Sequence, residues 1–422
     1  MDAASHTIRC TLIGVTSIYL TNLRECTMRI TDVRCVEYTG SMSLPGPLWE
    51  DRLRRPTDVY PERAAEGPAQ PPLREDGGHE VRAIFLHVDT DEGITGSTAV
   101  LSEQQAHTAL TLLRPGLLGA DPLAAERIWD LGYRSMIHGR AGTGMLALSA
   151  VDCALWDVRG QYFGVPAYVL LGGPTRDDVP AYASTLGDSL AVGDASRRTR
   201  ELVAEGFGGV KWFPRWGPGD GHRGVDRVVE LVATVRQAGG EDLDIMLDAW
   251  SSWDIQFTVD VARECAPLRL RWIEEPLPAD DTAGYAALRR RLGGLVQISG
   301  GEHEYTRWGV GRLLREDLLD VYQADPHWGG GISEMVKISA LVSAAGRQFI
   351  PHGQSLQCNA ALTFAASPGL IPEMEYLLRL GPLYQHFLAD PIVPAAGRVT
   401  APATTGLGMR LADDRVLDAR PL

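Results

Sequence analysis

From residue 179 onward, short apolar runs recur at 179–183, 209–213, 245–248, 270–273, 296–299, 321–323 and 349–351. Stretches with helical periodicity fill the gaps, such as 224–238 and 257–266. A strand that returns to its own sheet through a helix makes a right-handed crossover and runs parallel to its predecessor. Repeated this often, the unit predicts an α/β fold built as a (β/α)8-type barrel. An open doubly wound sheet is the competing architecture. No Gly-x-Gly-x-x-Gly follows the first strand, which counts against a dinucleotide site.

The chain before the barrel reads differently. A strand pattern begins at Met28, and residues 40–78 are rich in Pro, Gly and charge without periodicity, as expected of a long loop or lid. Two further runs, 81–89 and 94–100, flank a turn of the Asp-Thr-Asp-Glu-Gly type. Helical stretches follow at 102–129 and 142–160. The division expected is an extension over 1–27, a small α+β domain over 28–145, the barrel over 146–390, and a tail over 391–422. The tail has lost the rhythm and is expected to pack back on the first domain.

The formal net charge of −14 argues against a nucleic-acid partner, whose phosphates require a basic surface. An anionic substrate would then need locally placed positive charge, most simply a bound cation. The six cysteines, Cys10, Cys26, Cys35, Cys153, Cys265 and Cys358, lie far apart and show no zinc-finger spacing, so reduced thiols in the cytoplasm are expected. No apolar run is long enough to span a membrane. Residues 12–20 are apolar but broken by Gly14, Thr16 and Ser17, a poor signal peptide.

Three of the barrel strands end in carboxylates. Ile-Met-Leu-Asp ends at Asp248, Arg-Trp-Ile-Glu-Glu-Pro carries Glu274 and Glu275, and Gln-Ile-Ser-Gly-Gly-Glu-His carries Glu302. Spacings of 26 and 28 residues are about one βα unit each, which puts all three on the carboxyl-end rim. Carboxylates converging there repel one another unless a hard cation holds them, and oxygen-only ligation suits Mg²⁺. Strand alternation points Glu275 away from this group. The next two units end at Asp325 and His352, 27 residues apart. A histidine bonded to a carboxylate is fixed in one tautomer with a raised pKa, as suits a general base. Lys211, at the end of Gly-Val-Lys-Trp-Phe, would add a second positive charge.

Asp248, then Trp-Ile-Glu-Glu-Pro, then Gly-Glu resembles the mandelate racemase/muconate lactonizing enzyme branch of the enolase superfamily, over nearly all of 28–422. The resemblance implies a modified TIM barrel with an N-terminal capping domain completed by the tail. It also implies Mg²⁺ on Asp248, Glu274 and Glu302, with an Asp325–His352 base that takes the proton α to a carboxylate. Glu375, ending an eighth strand in Pro-Glu-Met-Glu-Tyr, would be a protonated acid donating to the substrate carboxylate, with Glu373 as the competing candidate. Homo-oligomers are usual in that family.

Racemases of that branch carry Lys-x-Lys on the second barrel strand, whereas this chain reads Lys211-Trp212-Phe213. A one-sided base suits abstraction followed by β-elimination. Trp216-Gly-Pro-Gly-Asp-Gly221, Asp248-Ala249-Trp250, Gly301-Glu302-His303 and Trp328-Gly329-Gly330 resemble the L-rhamnonate dehydratases within the branch. The expectation is a Mg²⁺-dependent sugar-acid dehydratase with His303, Arg215 and Trp250 contacting an L-rhamnonate-like substrate. Racemisation, epimerisation or cycloisomerisation on the same scaffold is the main alternative. A non-catalytic metal-binding barrel would be expected to lack the base. A glycosidase needs only two acids.

Overall fold

The computed structural model describes residues 28–44 and 46–422; the extension expected over 1–27 lies outside the described residues. β1 (Ile30–Met42), β2 (His79–Thr90) and β3 (Thr95–Leu101) form an antiparallel sheet. The helix α1 (Ala125–Ser135) packs on α2 (Thr143–Phe163), which packs on the sheet, and Leu86, Val88, Trp129, Leu148 and Leu155 share the core between them. The boundary expected at 145/146 falls inside α2. That helix is apolar nearly all round because it packs against both parts of the molecule: the sheet on one side and the barrel on the other.

The barrel is laid down as β4 (Asp178–Ser184), α3 (Val192–Ala204), β5 (Gly209–Trp212), α4 (Gly221–Gly239), β6 (Asp244–Asp248), α5 (Ile255–Glu264), β7 (Leu270–Glu274) and α6 (Thr282–Leu292). It continues with β8 (Gln297–Gly300), α7 (Thr306–Arg315), β9 (Val321–Tyr322), α8 (Gly331–Ala344), β10 (Gln348–Phe349), α9 (Leu356–Ala365) and β11 (Met374–Leu377). The strands run in the order β10-β9-β8-β7-β6-β5-β4-β11, each parallel to its neighbours. Among the described residues no strand ladder joins β10 to β11, and Phe349 N–H donates across that seam to the Leu370 carbonyl at 2.9 Å. Strands covered on both faces read as unbroken apolar runs, as in the fully buried Ile245, Met246 and Leu247 of β6.

The tail touches both parts. Its β12 (Arg398–Thr400) pairs antiparallel with β4, and β13 (Asp418–Pro421) then joins the first sheet beside β1. Residues 46–58 cross the carboxyl end of the barrel. Glu50 N–H donates to the Gly187 carbonyl, Arg54 N–H to the Pro214 carbonyl, and Leu190 N–H to Asp51. Arg379, just past β11, donates to the Pro47 and Leu48 carbonyls and pairs with Glu50 and Asp188. The long loop is therefore strapped over the rim where the carboxylates emerge. No helix among the described residues is long and apolar enough to cross a membrane.

Candidate active site

Inside the ring Tyr182, Met246, Trp272, Val321 and Ile350 form a compact apolar floor. Side chains two residues apart on a strand share a face, so the next inward residue in each case rises above that floor. Met246 is followed by Asp248, Trp272 by Glu274 and Ile350 by His352, while Val321 leads through Gln323 to Asp325. Asp248 and Glu274 are direct neighbours in the ladder. Glu302 comes in after β8 through Gly300 and Gly301, at φ +157° and +101°. A Cβ on Gly300 would sit 3.1 Å from Glu275 Cγ.

All three carboxylates are buried, as is Lys211. The Lys211 ammonium lies 2.7 Å from Glu375 Oε1, 2.8 Å from Glu274 Oε2 and 3.2 Å from Asp248 Oδ2. Burying a lone ammonium costs on the order of several kcal/mol, which these partners offset. Gln323 Nε2 also donates to Glu274 Oε2 at 2.8 Å. Even so, burial pushes Asp248 and Glu302 up to about 7 and Glu274 to about 8. Carboxylate outnumbers positive charge at this point of the protein.

His352 Nδ1 lies 2.8 Å from Asp325 Oδ2, and its Nε2 is 3.5 Å from Glu302 Oε2. The Asp325 carboxylate accepting from Nδ1–H leaves Nε2 as the nitrogen that faces the carboxylates. Asp325 Oδ1 accepts from the backbone N–H of His327 at 2.6 Å, and Asn359 Nδ2 donates to the His352 carbonyl, so both members of the dyad are held. Burial works against an imidazolium here, but Glu302 and Asp325 outweigh it and raise His352 to about 10.

A second dyad stands beside the first. Glu275 was expected to point away, yet its backbone adopts φ +38°, which breaks the strand alternation at that residue. Its buried carboxylate accepts from His303 Nδ1 at 2.7 Å. Burial opposes charge on His303, but the hydrogen bond to Glu275 outweighs it and lifts the imidazole to about 9. The Trp328 ring lies between the two histidines, 5.5 Å from His303 and 4.8 Å from His352 between ring centres. Trp250 borders the same group, 6.1 Å from His303, and its backbone N–H donates to Asp248 Oδ1.

Two further expectations are corrected. For Glu375, burial works against its charge, but Lys211 and His352 outweigh burial and hold its pKa below the usual range. Glu375 is the second residue of β11 rather than its end, and its Oε2 accepts from Gly353 N–H at 2.8 Å. A Cβ at Gly353 would lie 2.7 Å from Glu375 Cγ, so only glycine permits that approach. Glu373 is turned to the other end of the barrel interior, paired with Arg271 at 2.6 Å. Arg215 is not brought to the carboxylates. It lies half exposed on the loop after β5 and pairs with Asp51 at 3.0 Å, tying the strap to the barrel.

Glu274 Oε1 and Glu302 Oε2 are buried with no hydrogen-bond donor among the described residues. An acceptor-only, oxygen-lined site with orphaned buried carboxylate oxygens fits a hard divalent cation. Ligand atoms within 4.8 Å of one another occur in Glu275–Glu302–His303, whereas Asp248 and Glu274 gather on Lys211. A cavity of about 570 Å³ adjoins the strap, lined by Leu48, Asp188, Arg198 and Arg379. It contains none of these carboxylates, and the chemistry lies with the groups above the barrel floor.

The sequence matches the family described as enolase C-terminal domain-like over residues 194–415. It matches the mandelate racemase/muconate lactonizing enzyme N-terminal domain over 65–172. The chain belongs to the mandelate racemase/muconate lactonizing enzyme family of the enolase superfamily. It is 33% identical to an L-rhamnonate dehydratase of Saccharopolyspora erythraea over 91% of this chain and 97% of that one. An L-rhamnonate dehydratase structure from Gibberella zeae superposes with TM-score 0.78 at 25% identity, covering 93% of this chain and 96% of the other. A racemase from Streptomyces coelicolor with bound magnesium superposes with TM-score 0.74 at 27% identity, covering 92% and 98%.

Within this family fold, three contributors escaped the sequence reading. Gln323 carried a signal: it precedes Asp325 by two and so shares its face. Glu275 carried none, because its positive φ depends on the packed turn around Gly300. His327, which hydrogen-bonds Asp325 through its backbone, sits in the Asp-Pro-His string, where no spacing marks it.

Proposed function

We propose that the chain dehydrates a sugar acid of the L-rhamnonate class. It removes the proton α to the carboxylate and expels the C3 hydroxyl as water, giving a 2-keto-3-deoxy acid. The observation that carries this reading is the His352 base, fixed by Asp325 beside the carboxylates that rise above the apolar floor. Phe213, two residues past Lys211, is buried and apolar, so β5 adds no second base. The likeness to an L-rhamnonate dehydratase at 33% identity supports it.

His352 takes the α-proton at Nε2, and Asp325 holds the imidazole in the orientation that exposes that atom. Mg²⁺ held by Asp248, Glu274 and Glu302 would supply the positive charge that offsets Glu302 beside His352, the substrate carboxylate, and the charge that builds as the proton leaves. Lys211 places a further positive charge on the same side. The imidazolium of either His352 or His303 then protonates the departing hydroxide, so the proton lost from C2 or one from His303 leaves as part of water.

The test is a screen of purified protein with Mg²⁺ against aldonic and aldaric acids, with the 2-keto-3-deoxy product read by a carbonyl reagent. A product that forms with Mg²⁺ and disappears with EDTA supports the reading and names the configuration. A second reading rests on the His303–Glu275 dyad. A second imidazole could deliver a proton back to C2, which would make the chain an epimerase or racemase. Deuterium uptake at C2 in D₂O without keto product would select it and overturn dehydration.

A further inference from the structure

Behind the His352–Asp325 dyad three soft donors meet from separate parts of the fold. Cys153 comes from α2, His327 from the loop after β9, and Cys358 from α9. Their ligand atoms all lie within 4.8 Å of one another. His327 Nε2 is 3.8 Å from Cys358 Sγ, and the Cys153 thiol is 3.7 Å from the Pro326 carbonyl. Both cysteines are fully buried, while His327 is half-buried and gives the group a way in. Two hydroxyls sit on the same imidazole nitrogen, Ser355 Oγ at 2.9 Å and Thr98 Oγ1 at 3.1 Å.

We propose that Cys153, His327 and Cys358 form a second metal site, one for a thiophilic divalent cation of the zinc class, separate from the oxygen-lined site on the barrel floor. Tetrahedral Zn²⁺ with bonds of about 2.3 Å to sulfur and about 2.0 Å to nitrogen spaces its ligands roughly 3.6–3.8 Å apart. The Nε2–Sγ separation of 3.8 Å already matches, and the remaining pairs lie within 4.8 Å. Two thiolates neutralise a divalent cation, so the bound site carries no net charge into a buried place. Binding releases the thiol protons to solvent and takes the Nε2 lone pair of His327, whose proton moves to Nδ1. An oxygen donor, Ser355 or Thr98 being adjacent, completes four-coordination. Mg²⁺ does not compete, because it prefers six oxygens. The site joins the capping helix α2 to the loop whose His327 N–H holds Asp325, so a bound metal would fix the base from behind.

The probe is Co²⁺, added at one equivalent to metal-stripped protein in excess Mg²⁺. A sulfur-to-cobalt charge-transfer band in the near ultraviolet, with the visible bands of tetrahedral cobalt, is expected. Oxygen ligation cannot give the first, and Glu274→Gln should leave it unchanged. The double variant Cys153→Ser/Cys358→Ser should lose the band, and His327→Gln should weaken Co²⁺ binding at least tenfold without abolishing the fold. Absence of the band in the unmutated protein overturns the site, and so does its persistence in the double variant. If the double variant fails to fold, unchanged Co²⁺ affinity in His327→Gln is the overturning result.

Discussion

At the scale of single residues, the site is governed by which groups share a buried carboxylate. His352 owes its fixed tautomer to Asp325, and His303 owes its to Glu275. His352→Asn keeps a side chain of similar size but removes the base. Its kcat should fall by about 10³-fold, while calorimetric titration should show Mg²⁺ binding little changed. Near-normal elimination in that variant would mean that the base is another group. Glu275→Gln tests the second dyad. It should cost about 10²-fold in product formation and leave C2 proton exchange in D₂O in place, since the first dyad is untouched. Equal loss of both would put Glu275 in the proton-abstraction step instead. The placing of Asp248, Glu274 and Glu302, of the Asp325–His352 pair and of Lys211 was legible because βα spacing puts strand ends on one rim. The contact of Glu375 with Lys211 was not, because it joins β11 to a strand two places away in the sheet.

At the scale of elements, apolar runs revealed seven of the parallel strands because those strands are buried on both faces. β11 was named only through resemblance. Its Met-Glu-Tyr-Leu carries a charge in the middle, since Glu375 faces the polar interior rather than the apolar shell. The strap over residues 46–58 was legible only as part of a long loop or lid, without its path. Its path is set by partners far along the chain, above all Arg379, which holds two of its carbonyls and Glu50. Arg379→Ala should therefore loosen the cover without touching the catalytic groups. The expected outcome is a rise in KM of about tenfold, with a change in Tm of only a few degrees, because the interactions lost are partly exposed. Steady-state kinetics beside a thermal melt would check it. A fall in kcat with KM unchanged would show that the strap orients the reacting atoms rather than retaining the substrate.

At the scale of the whole molecule, α2 binds the parts together, and it does so with carboxylates buried in an otherwise apolar helix. Asp152 Oδ2 accepts from Ser333 N–H at the start of α8. Asp157 accepts from Ser97 N–H of β3 and Gln161 on one oxygen and from Leu407 N–H of the tail on the other. First sheet, helix and tail thus meet on one side chain, which no periodicity in the sequence could announce. Burial raises Asp157 to about 7 despite those donors, against 3.8 for an open aspartate. A carboxyl raised on folding favours the protonated folded state. Its stabilising effect is complete below pH 3.8 and is lost as pH climbs to about 7. A shift of that size corresponds to about 4 kcal/mol. Asp152, also raised to about 7, adds to the same slope. Asp157→Asn removes one titration and leaves one backbone N–H facing an amide NH₂, at a cost of about 1–3 kcal/mol. Urea unfolding at pH 5 and pH 8 should therefore show the unmutated protein losing more stability between the two than the variant does. The difference should come mostly from a lower value for the variant at pH 5. Parallel losses in the two proteins would mean that Asp157 stays ionised throughout and that its three donors outweigh its burial.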